Sequence, residues 1–262
     1  MSGWWIGLVL ALLGAGTLTV GTPPRHLSVA GATGSLPYLR RAAGDFERSR
    51  PNWTVSISGG GSVAGLVEVS RGRIDVGVSD LAPREEWTGG ILLKQRPLGR
   101  IPLLVIVHRA VGVSQLSAAQ SAAVLSGKIA NWDQVGGTRE PVVVVTRPGA
   151  SGARVAIVRE LLGREKISRR AIVALSNGAE LALVRETPGA IGYVESGQKP
   201  PGVRVLILGG AHFEPSHPER WPYRVVPTLY WRKDSGAEVA ALVRFLATRA
   251  YRSAYGLYAG TL

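Results

Sequence analysis

Short apolar runs alternate along the chain with longer stretches in which apolar residues recur at helical spacing. In the clearest helical stretch Leu36, Leu39 and Phe46 share one face, and Pro37 sits in the first turn, where a helix tolerates proline. Strands that alternate with helices predict an α/β protein. The apolar runs predict strands at residues 54–57, 74–78, 103–107, 142–146, 190–194, 203–208 and 225–231.

Capping residues mark several helix starts. Three pairs have the spacing of a capping box: Ser117 with Gln120, Asn177 with Glu180, and Ser235 with Glu238. The chain contains neither an internal repeat nor a long linker. Any division into two domains must therefore be made by strands that pass between them.

Composition narrows the classes of function. The 262 residues include no cysteine, which excludes a disulfide scaffold, a thiolate metal site and a cysteine nucleophile. No His/Glu cluster has the spacing of zinc ligands, so neither a metal nor another cofactor is expected. The net charge of +13 suits a nucleic acid, an anionic membrane or an anionic solute. Because the basic residues are scattered and no basic tail is present, we expect a basic surface and no nucleic-acid partner.

The first residues predict export. Residues 4–20 form an uncharged apolar stretch of 17 residues, which is short for a membrane span and long for the core of a signal peptide. Residues 1–24 are therefore predicted to be a signal peptide or, as the alternative, an uncleaved membrane anchor. In both cases the folded part starts near Arg25 and works in the periplasm or elsewhere outside the cytoplasm.

Three loops of small residues each precede a predicted helix, at residues 31–35, 59–62 and 148–152. A helix N-terminus presents unpaired N–H groups and a partial positive charge, so it can bind an anion. Each loop alone is as well explained by ordinary capping. Together, and with Arg147 beside the third, they indicate a site for a tetrahedral oxyanion, which the planar arginine fork fits.

Asp80 is unexpected in an anion site. It follows the strand at 74–78, and its carboxylate would repel an anion that carries no proton. An ionised carboxylate only accepts hydrogen bonds, so Asp80 could accept the proton that phosphate retains near neutral pH and sulfate lacks. A turn or capping residue is the alternative interpretation.

The order of these motifs resembles the periplasmic phosphate-binding proteins of phosphate ABC transporters. Residues 31–37 (GATGSLP) resemble the first phosphate loop of that family, and residues 61–80 resemble its second loop, helix and Asp-bearing strand end. Residues 125–132 (LSGKIANW), 147–154 and 187–194 (TPGAIGYV) are similar to further family segments in the same order.

The resemblance implies a two-lobed periplasmic-binding-protein fold of type II with two hinge crossovers. Residues 27–104 plus 195–262 would form lobe one and residues 105–194 lobe two, with the hinge in the strands near 103–107 and 190–194. The protein would be a non-enzymatic monomer without catalytic residues, and it would capture inorganic phosphate for the membrane subunits of an ABC permease. The implied phosphate-binding residues are Thr33, Gly34, Ser62, Asp80, Arg147, Ser151, Gly152 and Ala153.

In that interpretation the hydroxyl groups come from Thr33, Ser62 and Ser151, while residues 34, 152 and 153 offer backbone N–H groups. Arg147 balances the charge of the anion, and Asp80 accepts its proton. Ala153 departs from the family, which has a ligand-contacting threonine there. A lost hydrogen bond to a charged ligand weakens binding by about 1.5–3 kcal/mol, so another oxyanion is an open alternative.

The sequence also allows other functions. An anchored phosphate sensor would use the same site without transport. The Gly59-x-Gly61-x-x-Ala64 pattern matches a dinucleotide fingerprint, with Asp80 about twenty residues downstream. Ser62 or Ser151 could serve a hydrolase or phosphatase, although neither lies in a Gly-x-Ser-x-Gly motif.

Overall fold

The structure is a computed structural model and describes residues 23–248. The predicted signal peptide or anchor therefore lies outside the described residues up to position 22, and so does the end of predicted lobe one, residues 249–262. Between residues 23 and 248 no helix combines the length and the apolar character needed to cross a bilayer.

Most of the strands form two sheets. In chain order they are β1 (Arg25–Gly31), β2 (Trp53–Ser58), β3 (Val76–Ser79), β4 (Leu93–Pro97), β5 (Ile101–His108), β6 (Gln115–Leu116), β7 (Val143–Thr146), β8 (Ile172–Val173), β9 (Ala190–Glu195), β10 (Val203–Val205), β11 (Ile207–Leu208), β12 (Arg224–Val225) and β13 (Thr228–Arg232). The first sheet has the order β2-β1-β3-β13-β4, and the second has the order β10-β5-β9-β7-β8, with β12 also paired to β5. Strands β6 and β11 pair separately.

Each sheet mixes parallel and antiparallel pairs. In the first, β1 runs parallel to β2 and β3, and β13 runs antiparallel to β3 and β4. In the second, β9 runs parallel to β7 and antiparallel to β5. Because the carboxyl ends of parallel strands meet at one edge of a sheet, the loops after β1, β2 and β3 lie together, as do those after β7 and β9.

Seven α-helices cover these sheets in the described part of the chain. They are α1 (Leu36–Arg48), α2 (Ser62–Ser70), α3 (Glu85–Thr88), α4 (Ala118–Ser126), α5 (Gly152–Ile157), α6 (Asn177–Glu186) and α7 (Ala237–Leu246). A 3₁₀ turn at Thr33–Ser35 leads into α1, and a π-helical turn at Val158–Leu162 extends α5. The predicted apolar face of α1 is buried, since Phe46 is fully covered and makes edge-to-face contacts with Trp53 and Phe245.

The chain passes between the two sheets twice. It leaves β4 in the first sheet for β5 in the second, and it returns from β12 to β13 through residues 226–227. The two passages touch, because the Leu98 N–H donates to the Pro227 carbonyl at 2.8 Å. This two-lobed α/β architecture confirms the predicted fold class. The predicted apolar runs at 203–208 and 225–231 are each divided between strands that belong to different sheets.

Of the three predicted capping boxes, the one at Ser117 and Gln120 is confirmed, with both of its hydrogen bonds present. The prediction at Asn177 is wrong, because Ser176 caps α6 by accepting from the Ala179 N–H. The prediction at Ser235 is also wrong: α7 begins after Gly236 without a side-chain cap. In both cases the neighbouring residue takes the cap position, because serine and glycine are both favoured there: Ser176 caps α6 with its side chain, and Gly236 precedes α7 without one.

Candidate functional site

The loops at the carboxyl ends of both sheets meet between the lobes. Thr33 follows β1 and Asp80 follows β3 in the first sheet, while Arg147 follows β7 in the second. The Arg147 guanidinium donates from Nη2 to the Thr33 hydroxyl at 2.9 Å. Residues 114 positions apart therefore meet in a buried contact.

Hydrogen bonds hold the backbone and side chain of Arg147, but one of its guanidinium nitrogens has no partner. It is 2% exposed, its Nε donates to the Ala174 carbonyl at 3.1 Å, and its backbone N–H donates to the Tyr193 hydroxyl at 3.1 Å. The carboxylate Oε2 of Glu180 lies 4.0 Å from Nε. The third nitrogen, Nη1, is buried and has no hydrogen-bond partner. A buried donor of a charged group without a partner is costly, so Nη1 is available for an anion.

The Thr33 hydroxyl is oriented by two donors. Its oxygen accepts from Arg147 Nη2 and from the backbone N–H of Asn177 at 3.1 Å. Because a hydroxyl has two lone pairs and one hydrogen, both acceptor positions are in use and the hydrogen can be donated. Thr33 thus combines with Arg147 to present donors to the same space.

Ser62 and Asp80 form a pair at the N-terminus of α2. The Ser62 hydroxyl donates to Asp80 Oδ2 at 3.0 Å and accepts from the Asp80 N–H at 3.2 Å. The other carboxylate oxygen, Oδ1, is buried without a partner. Burial raises the pKa of Asp80 to about 6, although the Ser62 hydrogen bond and the Arg147 charge lower it. At neutral pH the carboxylate is therefore mostly ionised, and Oδ1 can accept a hydrogen bond from a ligand that carries a proton.

The third loop closes against Asp80. Ser151 caps α5, and its hydroxyl accepts from the Arg154 N–H at 3.5 Å. A Cβ atom added to Gly152 would overlap the Asp80 side chain, so only glycine allows this approach. Ala153 is buried behind it at 1% exposure. The structure thus brings the three loops together around Asp80 and Arg147.

Sequence reasoning missed four residues that border this space. The buried Ser35 Oγ lacks a partner, as do Glu180 Oε2 and Glu195 Oε2. Asn177 contacts Thr33 through its N–H. Glu195 carried a usable indication, since it ends a buried apolar strand and Asp80 directly follows one, whereas the sequence marked Glu180 only as the predicted capping-box partner of Asn177.

The first loop and Glu195 are in direct contact. A Cβ atom added to Gly34 would overlap the Glu195 carboxylate, so the carboxylate packs on the glycine backbone. Burial, above all, raises the pKa of Glu195 well above its usual value, and the charges of Asp80 and Glu180 raise it further against the effect of Arg147. Burial also raises the pKa of Glu180 well above its usual value, opposed by the Tyr193 N–H and by Arg147.

The arrangement is suited to binding an oxyanion. One guanidinium nitrogen and one hydroxyl donate, while Asp80 Oδ1 accepts. In residues 23–248 no group of three or more His, Asp or Glu side chains could hold a metal ion. The histidines contact other groups: His26 meets Thr54, His108 the Ala110 N–H, and His212 and His217 nearby glutamates.

Fold and site together define a two-lobed α/β protein with a buried junction between its lobes, where unpartnered polar atoms of both lobes meet. The chain belongs to the family of the PBP superfamily domain, whose family model matches residues 17–258. It is 29% identical over 169 residues to the phosphate-binding protein PstS of Bacillus subtilis, covering 64% of this chain and 56% of that relative. It is 31% identical over 111 residues to the phosphate-binding protein PstS 2 of Streptococcus pneumoniae, covering 42% of this chain and 37% of the relative. The matched part thus spans 56% of the first relative and 37% of the second.

Solved structures show the same fold. A substrate-binding protein from Clostridium perfringens, solved with bound phosphate, has a TM-score of 0.79 at 23% identity and covers 87% of this chain and 95% of its own. An ABC-type phosphate transport receptor from Vibrio cholerae has a TM-score of 0.69 at 23% identity and covers 89% of this chain and 100% of its own.

Proposed function

We propose that this protein is an extracytoplasmic, non-enzymatic binding protein that captures inorganic phosphate between its lobes for an ABC permease. The observation that carries the proposal is the unpartnered Arg147 Nη1, buried beside an unpartnered Asp80 Oδ1. A donor of fixed positive charge and an acceptor of negative charge fit an anion that retains a proton. The named relatives in Bacillus and Streptococcus support phosphate as that anion.

The proposed contacts follow the loops. Arg147 Nη1 and the hydroxyl groups of Thr33, Ser62 and Ser151 donate to phosphate oxygens, and Asp80 Oδ1 accepts the phosphate proton. Ser62 must turn its hydrogen away from Asp80 Oδ2 to do so. Backbone N–H groups of Gly34, Gly152 and Ala153 complete the site.

We propose that the two lobes close on the anion, with residues 101–225, which carry the second sheet, as lobe two in place of the predicted 105–194, and with the flanking residues as lobe one in place of 27–104 plus 195–262. The contacts of Arg147 with Thr33 and of Gly152 with Asp80 would then belong to the closed state. Preferential binding of phosphate to that state drives closure. The closed monomer would dock on the membrane subunits of the permease, after cleavage of residues 1–24 or while anchored by them.

Equilibrium dialysis of the purified chain with labelled phosphate tests the proposal. We expect saturable binding of one phosphate per chain, displaced by arsenate and not by sulfate. Arg147→Lys keeps the charge but cannot supply the planar fork, so phosphate affinity should fall at least about tenfold. Arg159→Lys, on an exposed position of the same segment, serves as the control. Absence of phosphate binding by the unaltered chain would refute the function.

A second oxyanion ligand is favoured by one observation. Ala153 supplies no hydroxyl where the resembling family has one. Tighter binding of arsenate than of phosphate in the same dialysis would favour this alternative.

A further inference from the structure

Glu195 is tied to the first loop of the site. It ends β9, is 5% exposed, and exchanges two hydrogen bonds with Asn177: its N–H donates to Oδ1 at 2.9 Å, and its carbonyl accepts from Nδ2 at 3.1 Å. The Asn177 N–H in turn donates to the Thr33 hydroxyl at 3.1 Å. Asn177 therefore links the end of β9 to the loop that carries Thr33.

The Glu195 carboxyl reaches the place proposed for the anion. It packs against the backbone of Gly34, where any side chain would overlap it. Its Oε2 atom is buried and has no hydrogen-bond partner, like the nearby Asp80 Oδ1 and Arg147 Nη1. A buried polar atom without a protein partner indicates a ligand or water at that point.

The charges of Asp80 and Glu180 around Glu195 favour the neutral form of the Glu195 carboxyl. The charged groups that act on Glu195 are Asp80 at the end of β3, Arg147 after β7 and Glu180 on α6. With all three carboxyls ionised, a single arginine would face three buried negative charges before any anion arrives. Burial and the two neighbouring carboxylates accordingly raise the pKa of Glu195 well above its usual value. A neutral carboxyl has an O–H and can donate a hydrogen bond.

We infer that Glu195 is a further phosphate-contacting residue whose neutral carboxyl donates a hydrogen bond to an oxygen of the bound anion. This inference rests on the proposed function. Asp80 and Glu195 would then make hydrogen bonds of opposite direction. Asp80 accepts one from the protonated oxygen of phosphate, and Glu195 donates one to another oxygen of the anion. When Glu195 loses its proton at high pH, the donor disappears and a repelling charge replaces it.

Calorimetric titration of the full chain with phosphate between pH 6.5 and 9.5 tests this role. Relative to Glu195→Gln, the affinity of the unaltered chain should fall by about tenfold or more once Glu195 loses its proton, because a charge-assisted hydrogen bond is lost. Glu195→Gln retains a donor at every pH, so its affinity should change only as the phosphate itself loses a proton. Glu195→Leu has no donor and should bind phosphate at least about tenfold more weakly at pH 7. Glu186→Gln, at an exposed position on α6, is the matched control.

The outcomes separate the two proposals. If the unaltered chain binds phosphate and Glu195→Leu binds as tightly as Glu195→Gln, the role of Glu195 is refuted while the proposed function stands. Identical pH profiles for the unaltered chain and Glu195→Gln would refute it as well, and this comparison suffices if Glu195→Leu does not fold. Failure of the unaltered chain to bind phosphate at any pH would refute the proposed function and this role with it.

Discussion

Replacing Asp80 by asparagine tests whether one carboxylate separates phosphate from sulfate. Asp80 Oδ2 accepts from the Ser62 hydroxyl at 3.0 Å, whereas the buried Oδ1 has no partner and is the atom proposed to face the ligand. Sulfate carries no proton at neutral pH and would place an oxygen against this buried, ionised oxygen. Asparagine keeps an acceptor oxygen in place of Oδ2 and offers an N–H in place of Oδ1.

The size of the effect follows from burial and from the pKa of Asp80. A hydrogen bond to a charged group contributes about 1.5–3 kcal/mol, which corresponds to roughly a tenfold to hundredfold change in affinity. Because burial raises the pKa of Asp80 to about 6, most of the carboxylate is ionised at pH 7.5 and only about a tenth at pH 5. Sulfate affinity of the unaltered chain should therefore rise as the pH falls through 6.

Competition dialysis with labelled phosphate and unlabelled sulfate measures both effects. Asp80→Asn should bind sulfate about tenfold to hundredfold more tightly at pH 7.5 and lose the dependence on pH. The exposed Asp133→Asn should behave like the unaltered chain. If Asp80→Asn and the unaltered chain exclude sulfate equally, Asp80 does not discriminate phosphate from sulfate. Equal exclusion by the unaltered chain at pH 5 and 7.5 would lead to the same conclusion.

Three further predictions concern the same junction. Thr33→Val leaves two buried donors without an acceptor and should lower the free energy of unfolding by about 1–3 kcal/mol, measured by urea titration. Gly152→Ala places a Cβ against Asp80 and should weaken phosphate binding at least about tenfold, whereas Gly149→Ala, which meets open space, should not. In the ligand-free protein, stability should fall as the pH rises from 4 to 7, because buried carboxyls of raised pKa bind more protons folded than unfolded. For Asp80 alone, with a shift from 3.8 to about 6, the loss between pH 4 and 7 amounts to about 2 kcal/mol, and a melting temperature that rises over the same range would contradict it.

Several strands escaped prediction for a shared reason. Strand β4 (Leu93–Pro97) has an exposed, largely polar middle, and β1 (Arg25–Gly31) begins with two exposed residues, so neither has a continuous apolar run. Both belong to the first sheet because neighbouring strands supply their hydrogen bonds. Strand formation by such segments depends on partners distant in the chain, which a local pattern cannot reveal.

In the candidate site, too, local features could be predicted from the sequence and contacts between distant residues could not. The order of residues alone indicated the three loops, Arg147 and Asp80, because small and hydroxyl-bearing residues before a helix and a charge at a strand end are local features. Only the tertiary structure placed Arg147 against Thr33, brought Gly152 onto Asp80 and buried the carboxyls of Glu180 and Glu195 beside them. The physical reason is that burial and Coulomb interaction depend on distance in space, and the pKa of a carboxyl is set by neighbours that the chain brings near from far along its length.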